Sequence, residues 1–181
     1  MIELEKLQSI IEELAPAKLG DKYDTPYFLR QPIKKIKKIG VCVDPTEYNL
    51  RIAIKDGVDL LISHHPWHDQ VEDILQKSQM GILVLHSSWN KAPEGNNATL
   101  ARLLNLEEII HEAEMVRGVT QMTLRDLLFC CQRVLKVPII PYAGDLNANV
   151  NKVLIISGPG FAPIYKQQWA RYITQGCDTF L

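Results

Sequence analysis

Two adjacent histidines, His64 and His65, directly follow the apolar stretch "LLIS" and precede a proline. Imidazole is a common ligand of divalent transition metals, so this pair could form part of a metal site. Neighbouring residues of a strand point to opposite faces, and both rings can line one pocket only if the chain turns, which Pro66 favours. The spacing leaves two interpretations open: the histidines bind metal, or they end a buried strand with ordinary hydrogen bonds.

A second candidate stretch, "VLHSSWN", places His86 and Asn90 where another apolar run gives way to a helical pattern. A histidine titrates near neutral pH, so His86 could act as a general acid or base, or it could merely be hydrogen-bonded. His68 and Asp69 would lie in the first turn of the helix after the histidine pair, where solvent exposure is the ordinary expectation. They remain secondary candidates.

Strand and helix patterns alternate around these residues. Apolar positions at helical spacing predict a first helix that ends before Pro16, and a strand follows around 39–43. Asp44 and Pro45 then open a helix, with Glu47 completing a capping box. The continuous apolar run "VDLLIS" favours a central parallel strand. This alternation predicts an α/β fold, in which a parallel or mixed sheet is flanked by helices.

Further helices are predicted along the rest of the chain. One runs from Pro66 to about Gln79, and another starts near Asn96 or Asn97, either of which suits a helix cap. A third begins after Thr123, which can act as its cap.

The segments "KKIGVCVDPTEYNLRIAIKDGVDLLISHH" and "NKVLIISGPGFAPIYKQQWARYITQGCDTFL" share one plan of strand, turn, helix and Gly-x-Asp before a second strand. The shared order predicts a duplicated half-domain, although strand-helix-strand units also recur by chance. We therefore expect a first half over 1–118 and the start of a second half over 119–181. In the second copy, the residues equivalent to the histidine pair would lie beyond Leu181.

Composition excludes several classes of protein. The chain has 181 residues, of which 46% are hydrophobic and 23% charged, with 20 basic against 21 acidic residues. These values argue against disorder and against a whole-surface nucleic-acid binder, and the lysines of 34–38 are better explained as a solvated strand edge. No apolar run reaches the roughly 18 residues of a membrane span, and the amino terminus is acidic, so we expect no membrane association and a cytoplasmic location. The four cysteines lack CxxC spacing and are expected to be free thiols.

Four segments in order, "VDPTEYNLRIAIKDGVDLLISHHP", "LHSSWNKAPEGNNATLARLLNL", "VNKVLIISGPG" and "QGCDTFL", resemble the Nif-three-like family, also labelled GTP cyclohydrolase I type 2. The tandem histidines and "EGNNATLARLL" are the more specific matches. The resemblance implies a duplicated α/β architecture, a homo-hexameric ring and a pair of divalent metals in a cleft between the halves. The expected cofactor is a divalent metal, with room for two ions, of Zn, Mn, Fe or Mg. The resemblance makes His64 and His65 metal ligands.

The sequence departs from the family pattern at three places. Asn90 stands where the pattern has an aspartate ligand, and an amide oxygen should hold a metal less tightly than a carboxylate. "KYDTPYFLR" replaces an aromatic-Asp-Asn segment, and the family's second-half His and Glu would follow "GCDTFL", outside these residues. Two hypotheses follow: a metal-dependent hydrolase in which His86 assists as an acid, a base or a supporting group, or a non-catalytic oligomeric scaffold or regulatory protein with an incomplete metal site.

Overall fold

The computed structural model describes residues 1–22, 24, 27–31, 35–66, 72–112, 114–158 and 160–181. The chain forms two compact units, Met1–Ala92 and Pro93–Leu181. The division expected after residue 118 falls inside the strand Met115–Thr123, so the structural boundary lies earlier in the chain. Its physical reason is that Ala98 and Ala101 are buried in the same core as Val153 of the second unit.

The first unit contains eight α-helices and β-strands within its described residues. They are α1 (Leu4–Leu14), β1 (Tyr27–Arg30), β2 (Ile39–Cys42), α2 (Glu47–Lys55), β3 (Leu60–Ser63), α3 (Glu72–Gln76), β4 (Gly81–Val84) and α4 (Ser87–Lys91). The sheet order is β1-β4-β3-β2, with β2, β3 and β4 parallel and β1 antiparallel to β4. The mixed α/β sheet and the central parallel position of β3 are confirmed.

Both faces of this sheet are buried at β3 and β4. On one face Leu61 and Ile82 pack with Leu50 of α2, and on the other Leu60 and Leu83 pack with Leu7 of α1. A strand covered on both faces must be apolar at every position, which explains the continuous run of β3. The carboxyl end of β3 is thereby fixed in place.

The second unit is built on another four-stranded sheet. Its elements are α5 (Asn96–Leu103), β5 (Glu107–Glu112), β6 (Met115–Thr123), α6 (Leu124–Leu135), β7 (Asn149–Ile155), α7 (Lys166–Thr174) and β8 (Thr179–Phe180). The order is β5-β6-β7-β8, with only β7 and β8 parallel. The hairpin of β5 and β6 was not predicted from the sequence.

The two Gly-x-Asp segments adopt the same local structure. Gly57 and Gly176 both have left-handed backbones, with φ of 68° and 85°. Asp59 accepts hydrogen bonds from the backbone N–H groups of 37 and 38, and Asp178 accepts them from those of 151 and 152. Each segment then enters a strand parallel to the one just before its helix. The predicted duplication of a strand-helix-strand plan is present in the backbone.

The predicted cap of α2 was wrong. The N-cap of α2 is Thr46, so the capping box assigned to Asp44 and Glu47 does not form, and the Asp44 carboxylate is instead hydrogen-bonded to His65. Between 66 and 79 the described helix covers only Glu72–Gln76. His68 and Asp69 lie outside the described residues.

Asn97 does not cap α5, whose N-cap is Gly95. Its buried amide donates from Nδ2 to the Glu114 carbonyl at 2.5 Å and accepts from the Ser157 N–H at 2.7 Å. The side chain therefore ties α5 to two loops of the second unit. The predicted cap of α6 is confirmed, because Thr123 forms a capping box with Asp126.

A polar cluster surrounds Glu112 at the end of β5 in the second unit. The buried Tyr172 hydroxyl donates to Glu112 at 2.9 Å, and the guanidinium of Arg117 donates to it at 2.8 Å. Burial raises the pKa of Glu112, but these hydrogen bonds outweigh it, and the pKa lies below the usual 4.5. Burial is the main cause that raises the pKa of Tyr172 to about 12, and the hydrogen bond to Glu112 and its charge raise it further.

All four cysteines are free, as expected. None of the helices in the described part of the chain combines the length and hydropathy that a membrane span requires.

Candidate metal centre

Three histidine rings meet at the carboxyl edge of the first unit's sheet. His64 and His65 directly follow β3, and His86 follows β4 after one intervening residue. Because β3 and β4 are parallel neighbours, their carboxyl ends share one edge. The ring centroids lie 4.8 Å apart for His64–His65, 4.8 Å for His64–His86 and 5.4 Å for His65–His86. The structure thus brings together three of the four predicted site residues.

The rings of the adjacent histidines lie close together because the chain bends after β3. The backbone N–H groups of His64 and His65 donate to the carbonyls of Cys42 and Val43. Ser63, which is fully buried, donates from its hydroxyl to the His65 carbonyl at 2.5 Å. These bonds hold the turn that the sequence could only suggest.

Each imidazole is held through its Nδ1 atom. The Nδ1 of His64 lies 3.1 Å from the Leu85 carbonyl, that of His65 lies 2.7 Å from Asp44 Oδ1, and that of His86 lies 2.5 Å from Asp24 Oδ2. Carbonyl and carboxylate oxygens accept hydrogen bonds, so each Nδ1 carries a proton, and in the neutral imidazole Nε2 then keeps its lone pair. An imidazole oriented in this way is ready to bind a metal through Nε2.

The loop carrying Asp24 is fastened to the start of α4. The Asp24 carboxylate also accepts from the Ser87 N–H at 3.2 Å, and the Asp24 carbonyl accepts from the Ser87 hydroxyl at 2.8 Å. The Ser87 hydroxyl also accepts from the Asp21 N–H, and Asp21 forms an ion pair with Lys91. The carboxylate beside His86 is therefore positioned by several contacts.

Asn90 lies one helical turn after His86, and its backbone N–H donates to the His86 carbonyl. Its side-chain oxygen Oδ1 is buried and has no hydrogen-bond partner among the described residues. A buried amide oxygen without a donor costs about 1 to 3 kcal/mol. A cation bound to this oxygen would offset that cost.

The protonated form of His64 is disfavoured. Burial is the largest cause that lowers the pKa of His64, and charge repulsion from the neighbouring His86 and His65 rings lowers it further. A neutral imidazole is the form that binds metal.

Sequence reasoning missed Asp24 and Asp44 as members of this site. Asp44 had been assigned as a helix cap, and Asp24 belonged to a segment regarded as a departure from the family pattern. The position of Asp44 could have indicated its role, since Asp44 follows the carboxyl end of β2, the parallel neighbour of β3.

The part of the chain that the structure describes contains one group of three or more His, Cys, Asp or Glu side chains able to hold a metal. It consists of His64, His65 and His86, with one ring nitrogen from each within 4.8 Å of the others. Nitrogen ligands of this number suit Zn and other first-row transition metals. Fold and site together define an α/β protein with a histidine cluster at the carboxyl ends of parallel strands.

The chain belongs to the Duf34/NIF3 (NGG1p interacting factor 3) family, whose model matches residues 2–181. This finding confirms the family that the sequence resemblance indicated. A relative from Clostridium perfringens, called a GTP cyclohydrolase 1 type 2 homolog, is 26% identical over 88% of this chain and 70% of its own length. A relative of the same name from Methanocaldococcus jannaschii is 26% identical over 82% of this chain and 65% of its own length.

Solved structures share the fold. A hypothetical protein from Staphylococcus aureus superposes with a TM-score of 0.80 at 18% identity, over 99% of this chain and 78% of its own. Reduced HcgD from Methanocaldococcus jannaschii gives a TM-score of 0.78 at 24% identity, over 99% of this chain and 77% of its own.

Proposed function

We propose that the first unit binds a divalent transition metal through His64, His65 and His86, with Asn90 as a neutral fourth ligand. The observation that carries this proposal is the convergence of three ring nitrogens within 4.8 Å. The three Nδ1 contacts support it because they leave the Nε2 atoms available. His86 is then a ligand, in place of the acid or base role considered from the sequence.

The proposed reaction class is metal-dependent hydrolysis. A divalent ion that keeps an open coordination position beside its protein ligands would lower the pKa of bound water and polarise a substrate carbonyl or phosphoryl group. The residues of this chain would bind and orient the ion, while Asp24 and Asp44 hold two of the rings. A second ion would need carboxylate ligands in addition to these imidazoles.

The names of the two curated relatives suggest a nucleotide ring as one substrate to test. Hydrolysis of GTP, and of simple esters, should be assayed with added Zn, Mn or Fe. Turnover that depends on the metal and disappears in His64→Ala would support the hydrolase.

Metal content tests the ligand assignment separately from activity. Elemental analysis should find bound metal in the wild-type protein and much less in His64→Ala/His65→Ala. His111→Ala is a matched control, because His111 is exposed on β5 and lies outside the cluster. Equal metal in the wild type and in the double variant would refute the assignment, provided that circular dichroism shows both to be folded.

The alternative is a non-catalytic scaffold or regulatory protein. It is favoured by Asn90, which supplies no negative charge to neutralise an ion. Metal binding without any turnover would select this alternative. The homo-hexamer and the cytoplasmic location stay predictions, which mass measurement in solution and cell fractionation would test.

A further inference from the structure

A polar cavity of about 580 Å³ lies against the sheet of the second unit. Its volume falls within the range of small-molecule sites, which is about 300 to 1,000 Å³. Strands β5, β6 and β7, which lie side by side, supply most of its lining. The lining residues that bear on its chemistry are Asn105, Glu107, Val119, Thr120, Gln121 and Lys152. All of them belong to the second unit, whereas the histidine cluster belongs to the first.

Two opposite charges flank an apolar residue in this cavity. Glu107 of β5 is paired with Val119 of β6, and Val119 is paired with Lys152 of β7. Residues that are paired directly across antiparallel strands project from the same face of the sheet. Since neighbouring strands lie about 4.8 Å apart, the backbones of Glu107 and Lys152 are about 10 Å apart. A small ligand with two charges can therefore lie between them, over the Val119 side chain.

The Lys152 ammonium is held in place without an acidic partner. It donates to the Gln175 carbonyl at 2.9 Å, at the end of α7, and the lysine is half-buried. This bond uses one of its three N–H groups and leaves two for a ligand. Counting only the residues that the structure describes, neither Lys152 nor Glu107 forms an ion pair with another side chain. Both charges are thus available to a ligand.

The same lysine contact occurs in the first unit, where it has a structural role. The Lys38 ammonium donates to the Asp56 carbonyl at 2.8 Å, at the end of α2. Asp56 and Gln175 each precede the glycine of a Gly-x-Asp segment. A lysine at this position therefore closes a helix in both units. Because Lys38 does not line the cavity, it can separate this structural contribution from ligand binding.

We propose that the cavity binds a small zwitterion of the α-amino-acid type with a polar side chain. The carboxylate of the ligand contacts Lys152, its ammonium contacts Glu107, and the carbon between them lies over Val119. Glu107 would repel a simple anion and Lys152 a simple cation, so the two charges together select a ligand that carries both. The side-chain amides of Asn105 and Gln121 can donate and accept hydrogen bonds, which suits a polar side chain on the ligand.

Binding should be weak and sensitive to salt. The Glu107 side chain is exposed, and ions screen exposed charges over about 8 Å at physiological ionic strength. We expect a dissociation constant of about 0.1 to 1 mM at low salt, with an increase of about threefold or more in about 0.5 M salt.

NMR titration of the isotope-labelled full chain, with EDTA present, tests the cavity independently of the proposed metal site. The probes are L-serine, L-threonine, L-asparagine and L-glutamine, and one or more of them should shift the backbone amide signals of Thr120 and Lys152 to saturation. The N-acetyl derivative of that amino acid lacks the ammonium, and the carboxamide derivative lacks the carboxylate. Each derivative should bind about tenfold more weakly or worse. The absence of saturation by any probe up to about 10 mM, or equal binding of either derivative, would overturn the proposal.

Variants test the two charges separately. Glu107→Gln and Lys152→Met should each weaken binding about tenfold or more. Glu108→Gln is the control for the first, because Glu108 is exposed on the same strand but does not line the cavity. Lys38→Met is the control for the second, because it removes the equivalent helix-closing contact from the first unit. Unchanged binding in Glu107→Gln, or equal losses in Lys38→Met and Lys152→Met, would refute the site.

Discussion

Asp24→Asn is the most informative single change at the metal centre. The substitution keeps the size of the side chain and removes the negative charge that accepts the Nδ1 proton of His86 at 2.5 Å. An amide at this position can also turn its NH₂ group toward the ring, which would favour the tautomer with the proton on Nε2. The proposed metal-binding atom would then be blocked in part of the population.

The size of the effect follows from the exposure of the two carboxylates. Removing a partner that orients a metal-binding histidine typically costs 10- to 100-fold in metal affinity. The Asp24 side chain is 27% exposed and that of Asp44 is 59% exposed, so solvent screens the Asp44 contact more. We expect about 30- to 100-fold weaker binding for Asp24→Asn, which is about 2 to 3 kcal/mol, and about tenfold for Asp44→Asn.

Competition with a chromogenic chelator at neutral pH measures these affinities directly. Asp21→Asn is the control, because Asp21 lies in the same loop but pairs with Lys91 instead of a histidine. Its metal affinity should stay close to that of the wild type. Equal losses of metal affinity in Asp21→Asn and Asp24→Asn would mean that the Asp24 carboxylate has no specific effect on metal binding, and its proposed role would be refuted.

Three further predictions concern stability. Asn97→Ala should destabilise the protein by about 2 to 4 kcal/mol in urea unfolding, because two backbone groups lose their partner. The exposed Gln168→Ala on α7 should change it by less than about 0.5 kcal/mol, and equal effects would contradict the bridging role. Thr123→Ala should cost about 1 kcal/mol through loss of the capping box, and Thr123→Ser should retain most of it. Because the folded-state pKa of Glu112 is depressed, its contribution is present above pH 4.5 and is lost as the pH falls through the folded value. Urea unfolding from pH 6 to pH 3 should therefore show a smaller acid-induced loss in Glu112→Gln than in the wild type.

The sequence predicted the first unit well because its strands are buried on both faces. The runs at 60–63 and 81–84 are apolar at nearly every position, and a histidine follows the first run directly and the second after Leu85. The hairpin of the second unit lacks such a signal. β5 exposes Glu107, Glu108 and His111, and Glu108 has a left-handed φ of 48° where the pairing register shifts. This irregularity disrupts the alternation by which an exposed strand is recognised.

At the candidate site, the sequence identified the histidines and missed what holds them. Histidines at strand ends can be found locally, since the strand pattern itself places them at the sheet edge. Asp24 and His86 are separated by 62 residues. Their contact depends on how Asp21 and Asp24 are placed against the start of α4, which no local pattern encodes. Asn97 was misassigned for a related reason. The rule for helix caps considers only neighbouring residues, whereas the two hydrogen-bond partners of Asn97 are distant in sequence.

Charge balance explains how a site without a carboxylate ligand could still hold a divalent ion. Three neutral imidazoles and the amide of Asn90 bring no negative charge to the proposed ion. Asp24 and Asp44 supply it one step further out, because each carboxylate accepts the Nδ1 proton of a ring whose Nε2 would face the metal. Such contacts increase the basicity of the imidazole and stabilise positive charge on the ring. An asparagine in the aspartate position should therefore lower the affinity for the ion without abolishing its binding.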